Sequence, residues 1–417
     1  MKKIIYAFKR LLGGRVGNLN EKWKFDTKSV ILTTPIVAGV NENSQTEILF
    51  GTKEGKVFSL DENSNVKWIF DSKEKSDEVE LMFLDNDYMN SIKSTPNVDD
   101  VDNDGNKEII FGSEIGNMYC LDNNGKVKWK FETKSPIRGS PLIKDLIGNN
   151  QKEIIFGTLD GKIYILSCKG KEVTHFNVGQ GIETMPLFVE NKLIFGTNEG
   201  EIRAYNLKGE LFWTYKTNNK ISADVIVTDI CKMNKYCLIV GSQDGNLYNL
   251  SLDGELNWMF KTNGSIMSKV AIGDINNDGK EEIVFGSCDN NIYCLKYNGD
   301  KLWSYETDFW VVSTPILKDI DKDGHIEIIA GSYDHNLYVL DNQGTYMLNY
   351  IPGLSGIVNQ TGNYSSTNNL EVGDVVGKKL WQFKTDDMIV GCAIIDEKNE
   401  VIVNTKSGKI SNLKLHD

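Results

Sequence analysis

Three short stretches carry oxygen-bearing side chains at alternate positions. They are Asp100-x-Asp102-x-Asp104-Gly105-x-x-Glu108, Asp274-x-Asn276-x-Asp278-Gly279-x-x-Glu282 and Asp319-x-Asp321-x-Asp323-Gly324-x-x-Glu327. Oxygens at the first, third and fifth positions of a tight loop point toward one centre. The glycine lets the chain turn, and a later carboxylate can close an oxygen cage suited to Ca2+. The same residue types also make good turns without an ion, because Asp and Asn bond their own backbone and Gly accepts positive φ. Three copies with the acid at the same ninth position favour the metal reading, with Ca2+, Mg2+ and an ion-free turn as the alternatives. Two related stretches have lost the pattern: Asp145-Leu-Ile-Gly-Asn-Asn lacks the alternating acids, and Asp229-Ile-Cys-Lys lacks the rest. No G-x-S-x-G, phosphate loop or Cys/His pairing is present, and His175, His325, His335 and His416 lack metal-ligand spacing.

The elements that must hold these loops announce themselves by repetition. A Trp followed two residues later by an aromatic recurs at Trp23, Trp68, Trp129, Trp213, Trp258, Trp303 and Trp381, with Thr174 and Leu348 in the same slot of weaker copies. Most spacings are 45 residues, and no helical periodicity accompanies them. That period predicts a propeller of four-stranded blades. In residues 93–131, KSTPNVDD, KEIIFGS, GNMYCLD and KVKWKF read as the four strands, separated by VDNDGN and NNG turns. A glycine recurs at Gly51, Gly112, Gly157, Gly196, Gly241, Gly286 and Gly331, where the second strand ends and the chain is expected to reverse.

The innermost strand occurs eight times, as ILTTP, IKSTP, IRGSP, IETMP, ISADV, IMSKV, VVSTP and IVGCA, so the expected ring has eight blades. Residues 351–377 then form an irregular insertion or a stunted hairpin, and residues 71–90 an acidic insertion. The chain opens with a lone fourth strand, EKWKF (21–25), and closes with three, MIVGCAII, EVIVNT and GKISNLKL. These complete one blade from both termini and leave no open sheet edge. The expected fold is therefore an all-β, closed, eight-bladed β-propeller over 21–417, with 1–20 as an N-terminal arm.

Aligning the inner strands singles out a second set of residues. Ile or Val leads every copy, and a small residue stands two positions later, so this alternate set must pack between blades. The positions between them hold Leu32, Lys93, Arg138, Glu183, Ser222, Met267, Val312 and Val390. Lys93, Arg138 and Glu183 could not sit unpaired between sheets and should reach the channel mouth. Phe309-Trp310 precedes the seventh copy. Charged groups beside an exposed aromatic would make a ligand or peptide site; a structural Lys/Arg–Glu pair in a water-filled channel is the plainer alternative.

The repeat G-x-x-x-W-x-[FY]-x-T after an L-D turn resembles the quinoprotein (PQQ-like) propeller family, which includes PQQ-dependent dehydrogenases and cofactor-free scaffolds. The acidic loops resemble the calcium loops of FG-GAP propeller repeats, between the first and second strands of a blade. They are not EF-hands, whose twelfth position is Glu, because Phe111, Phe285 and Ala330 stand there. Asp122-Asn-Asn-Gly125 and Asp341-Asn-Gln-Gly344 are one residue shorter than the dehydrogenase motif A-x-D-x-x-T-G-x-x-x-W and lack its Thr. PQQ is accordingly not an expected cofactor.

Bulk properties bound the partners. A net charge of −12 argues against nucleic acid, which demands a basic footprint. Seven cysteines without a CxxC pair read as free structural thiols, Cys120 and Cys294 at buried strand positions. MKKIIYAFKRLLGG lacks the apolar run of a secretion signal, and no stretch is long enough to span a bilayer, so a cytoplasmic location is expected. Residues 3–12 can form an amphipathic helix with Ile4, Ile5, Phe8, Leu11 and Leu12 on one side, the sole expected route to membrane contact; a frayed or locally packed arm is the other reading. The function expected is a non-catalytic scaffold binding a protein, a peptide or a small ligand. The alternatives are a propeller lyase or glycosidase and, behind these, a PQQ-dependent oxidoreductase.

Overall fold

A computed structural model describes residues 18–40, 46–73, 90–230, 232, 235–322, 324–344, 357–358, 364–365 and 380–416. The N-terminal arm up to 17, the core of the acidic insertion (74–89), Asp323 and most of the 351–377 insertion lie outside the described residues. From the latter only Ile357–Val358 and Tyr364–Ser365 are described, paired as a small hairpin.

Eight four-stranded antiparallel sheets follow one another along the chain. Blade one runs through Ile36–Gly39, Thr46–Gly51, Lys56–Asp61 and Val66–Asp71. Blades two to six repeat that plan, and blade seven ends with Leu380–Lys384 paired directly to Asn336–Leu340. The second insertion therefore interrupts the turn between the third and fourth strands of blade seven. Blade eight joins Ile389–Ile395, Glu400–Thr405 and Lys409–His416 to Asn18–Asp26 from the other end of the chain. Ring closure through EKWKF is thus present, with the strand starting three residues earlier than expected.

The alternation on the fourth strands (for example VKWKFE) leaves one face half-buried and the other in water, whereas second and third strands such as EIIFG and NMYCL are buried on both faces. Hydrophobic clusters fill the spaces between neighbours. Val40, Leu49, Ile92 and Phe111 join blades one and two, and Ile31, Phe50, Ile395 and Ile402 join blades eight and one. Core therefore sits between blades rather than within one, and the seam carries it like any other interface.

One expectation needs correction and another a different cause. Outside blade eight, where Ile389–Ile395 is a full strand, the Ile-led segments are not themselves sheet strands. In blade two the first strand is only Asn97–Asp99, and the preceding segment is an extended lead-in held by isolated backbone bonds to the blade before and to its own blade. Ile92, Ile137 and Ile182 donate their N–H groups to the carbonyls of Thr52, Ser113 and Thr158 at 3.0–3.1 Å. The recurrent glycines do end the second strand just ahead of the chain reversal, but what requires a glycine there is packing. Gly157 is not among the glycines with positive φ; a Cβ there would lie 2.4 Å from the Ile182 side chain of the next blade. The glycine makes room for the following lead-in.

Among the described residues the single helical turn is the 3-10 segment Asp396–Lys398, and no helix is long and apolar enough to cross a membrane. Cys120 and Cys294 are buried free thiols, as expected, while Cys231 lies outside the described residues.

Candidate functional site

The up-and-down order of strands gives the ring two faces. Lead-ins and the turns between second and third strands gather on one, here the mouth face; the acidic loops and the turns between third and fourth strands gather on the other, here the loop face. The 71–90 insertion departs from and returns to the mouth face, where Ser72 Oγ donates to the Asn90 carbonyl at 3.3 Å.

On the mouth face, Lys93, Arg138 and Glu183 come together through two residues the alignment of lead-ins did not reach. Arg138 forms a two-pronged pair with Glu114 (2.6 and 3.0 Å) and a bond to Glu183 (2.9 Å). Lys93 reaches Glu114 at 3.5 Å, and Lys220 reaches Glu183 at 2.6 Å. Asn198 adds an amide donor to Glu183 at 3.2 Å. Three cations and two carboxylates from successive blades thus pair along an arc. Burial alone would raise the Glu183 carboxyl, but Lys220 and Arg138 outweigh it and hold it below its ordinary value. Hydrogen bonding to Glu114 in turn raises the Arg138 guanidinium.

Phe309 and Trp310 stand on the same face, in the connection into blade seven, apart from that arc. They are 41% and 42% exposed and stack on each other with centroids 5.3 Å apart. Trp310 also stacks on Tyr333 at 6.4 Å, over which the Lys406 ammonium lies at 5.9 Å. From the lead-in of blade six comes Met267, 41% exposed, against Cys288 at 3.7 Å. The mouth is therefore divided into a charged arc over blades two to five and an apolar arc over blades six and seven.

The signal for Glu114, Lys220 and Tyr333 was in the sequence. Glu114 and Tyr333 follow the G-S pair that ends the second strand, and Lys220 precedes the leading Ile of its segment. Aligning those columns, as was done for the lead-ins, brings all three to the mouth.

On the loop face the three acidic loops share a scaffold. The ninth-position glutamate is buried at the start of the second strand, and its Oε2 accepts the N–H of the loop's second residue. The distances are 3.1 Å for Val101 to Glu108, 3.1 Å for Ile275 to Glu282 and 3.0 Å for Ile320 to Glu327. The first-position acid folds the turn: Asp100 accepts from the N–H groups of Asp104 and Gly105 (3.1 and 3.0 Å), and Asp274 from those of Asp278 and Gly279 (3.0 and 2.9 Å).

Their fit to a cation differs. In blade seven Asp319, Asp321 and Glu327 offer oxygens within 4.8 Å of one another, a donor set that suits a hard divalent ion; Asp323 lies outside the described residues. In blade six the Asn276 amide nitrogen faces Glu282 (3.0 Å) and Asp278 (3.3 Å), supplying donors where a cation would need oxygens. In blade two Asp100, Asp102 and Glu108 also converge within 4.8 Å, but the Lys128 ammonium is already there, 2.8 Å from Glu108 and 3.0 Å from Asp102. That loop does not fit a divalent ion.

Fold and mouth together define a closed eight-bladed β-propeller that gathers its variable residues on two opposed faces. The sequence model of the Lambda-carrageenase beta-propeller domain matches residues 87–180, 192–273 and 264–353, together more than half of the chain. The chain belongs to this β-propeller domain family. No curated protein sequence matches it. Among solved structures it is similar to BamB from Moraxella catarrhalis, with 16% identity, TM-score 0.63, and 95% of this chain and 97% of that one covered. It is likewise similar to the computationally designed Ika8 protein (12%, 0.63, 93% and 97%). The C-terminal WD40 domain of Sif2 gives comparable values (14%, 0.62, 97% and 100%). At these identities the likeness concerns the fold.

Proposed function

We propose that this propeller is a non-catalytic protein- or peptide-binding scaffold and that the mouth face is its recognition surface. The observation that carries this reading is the apolar arc. Stacked Phe309 and Trp310 stand in water on a rigid ring, where exposed aromatics cost solubility unless a partner covers them. The likeness to BamB and to a WD40 domain supports a binding role, and the resemblance to quinoprotein propellers enters through their cofactor-free members. Within this reading, blade seven is the loop whose oxygens suit a structural Ca2+, and a quinone has no part.

A lyase- or glycosidase-like reading draws on the family match and would look to Glu114 and Glu183 for its acids. A glycosidase needs one carboxyl held protonated near neutral pH. Lys220 and Arg138 hold Glu183 below its ordinary value, so Glu183 is not that acid.

The test is capture of partners by wild type and by Trp310→Ala, with the fold of each checked by circular dichroism. Loss of an anchor of about 2 kcal/mol would weaken binding roughly 30-fold. A folded Trp310→Ala chain that keeps every wild-type partner at unchanged affinity places recognition elsewhere.

A further inference from the structure

One side chain from the fourth strand of the blade sets the blade-two loop apart from the other two acidic loops. In blade two that residue is Lys128, immediately before Trp129; in blades six and seven the same position is Leu302 and Leu380. Lys128 Nζ lies 2.8 Å from Glu108, 3.0 Å from Asp102 and 3.6 Å from Asp104. Those are three of the four carboxylates that the loop spacing would assign to a metal. Burial alone would lower the lysine pKa, but the bonds to Glu108 and Asp102 outweigh it and raise it, so the ammonium stays charged.

The same arrangement recurs where no acidic loop exists. In blade one Lys67 pairs with Glu47 at 2.6 Å, and in blade eight Lys22 pairs with Glu400 at 3.2 Å. Each of these glutamates is almost wholly buried, and so is Glu108, which is 1% exposed. A carboxylate at that depth must have a counter-charge, and in three consecutive blades the chain supplies it from the fourth strand.

We propose that Lys128 is a built-in substitute for a divalent cation in the blade-two loop. Its ammonium sits among the oxygens that an ion would take, so this loop folds without metal and repels one. Removing the lysine leaves Asp100, Asp102 and Glu108 converging within 4.8 Å without its ammonium between them; an external cation is then the means of relieving their repulsion. The inference is independent of the mouth reading, because the loop lies on the opposite face.

Isothermal calorimetry with Ca2+ on metal-stripped full-length chains tests it. Lys128→Leu, which installs the residue of blades six and seven, is expected to bind one more Ca2+ per chain than wild type. The gain should vanish in the Asp102→Asn/Lys128→Leu double variant. Ca2+ should also restore more of the melting temperature lost by Lys128→Leu than it adds to wild type. Equal stoichiometry in wild type and variant overturns the proposal. Should Lys128→Leu fail to fold without metal, Lys128→Gln retains a hydrogen bond to Glu108 without the charge. It is read the same way, and no added ion there is equally fatal.

Discussion

Glycine and a β-branched residue, isoleucine or valine, at the blade interfaces form a lock whose two halves lie 25 residues apart in the blades without insertions, as in Gly157 and Ile182. A Cβ on Gly157 would meet Ile182 Cγ2 at 2.4 Å and its Cβ at 2.6 Å, distances that force either the side chain or the lead-in to move. Gly157→Ala should therefore cost about 1–3 kcal/mol, the range for overpacking a tight core, as read from urea unfolding. Combined with Ile182→Gly, which removes both atoms, the loss should be clearly less than the sum of the two single losses. Additive losses would mean that the two residues do not press on each other. Both residues were visible as repeats in the sequence. Their partnership was not, because it joins two copies of the repeat and a strand-by-strand reading looks within one.

The strand pattern was legible where alternation is strict. Trp-led fourth strands, second strands ending in Gly and the eight-fold count all follow from period and spacing. The lead-ins look like strands because they are extended and apolar at alternate positions. In blades two to seven, however, each makes only isolated backbone bonds rather than a ladder, one at the leading residue to the blade before and one at the residue preceding it to its own blade. Of the candidate site residues, Lys93, Arg138 and Glu183 lie together on the expected face, whereas the lysine that fills the blade-two loop gives no signal in the sequence. It sits on a strand that looks merely solvated.

One buried glutamate of this layer, Glu282, carries a pH signature. Burial, then repulsion from Asp278 and Asp274, raises the Glu282 carboxyl above its ordinary value. A carboxyl with a raised folded pKa binds its proton more tightly in the native state. It favours folding at low pH and costs stability as pH climbs from the ordinary glutamate range through the raised value. Glu282→Gln removes that dependence. Its stability relative to wild type, measured by urea unfolding in EDTA, should therefore improve between about pH 4.5 and pH 7. Parallel curves would show that Glu282 does not titrate abnormally.

At the scale of the whole molecule, closure was the feature most fully written in the sequence, since a lone fourth strand at one end and three strands at the other can only be completed by each other. The seam is held by the ladder from Asn18↔His416 to Asp26↔Lys409, by Lys22 on Glu400, and by the Trp23 indole donating to the Glu62 carbonyl of blade one at 2.7 Å. A chain beginning at residue 27 lacks all three and exposes the 409–416 edge. It should melt well below the full-length chain and self-associate, as judged by light scattering. The synthetic peptide NLNEKWKFD should reverse both effects. An unchanged melting point would mean that the inter-blade cores alone close the ring. The two insertions were legible as interruptions of the period, and their residues lie mostly outside those described.

The direction of the seam strands has a mechanical consequence. Because they run antiparallel, residue 18 and residue 416 sit side by side at one end of the ladder. Tension applied between those two points loads the hydrogen bonds one after another, from Asn18↔His416 inward, rather than all at once in shear. The ring is closed against thermal fraying by every bond of the seam together, but against a pull at these two points by only one bond at a time, so it would open there like a zip while the other blades still held.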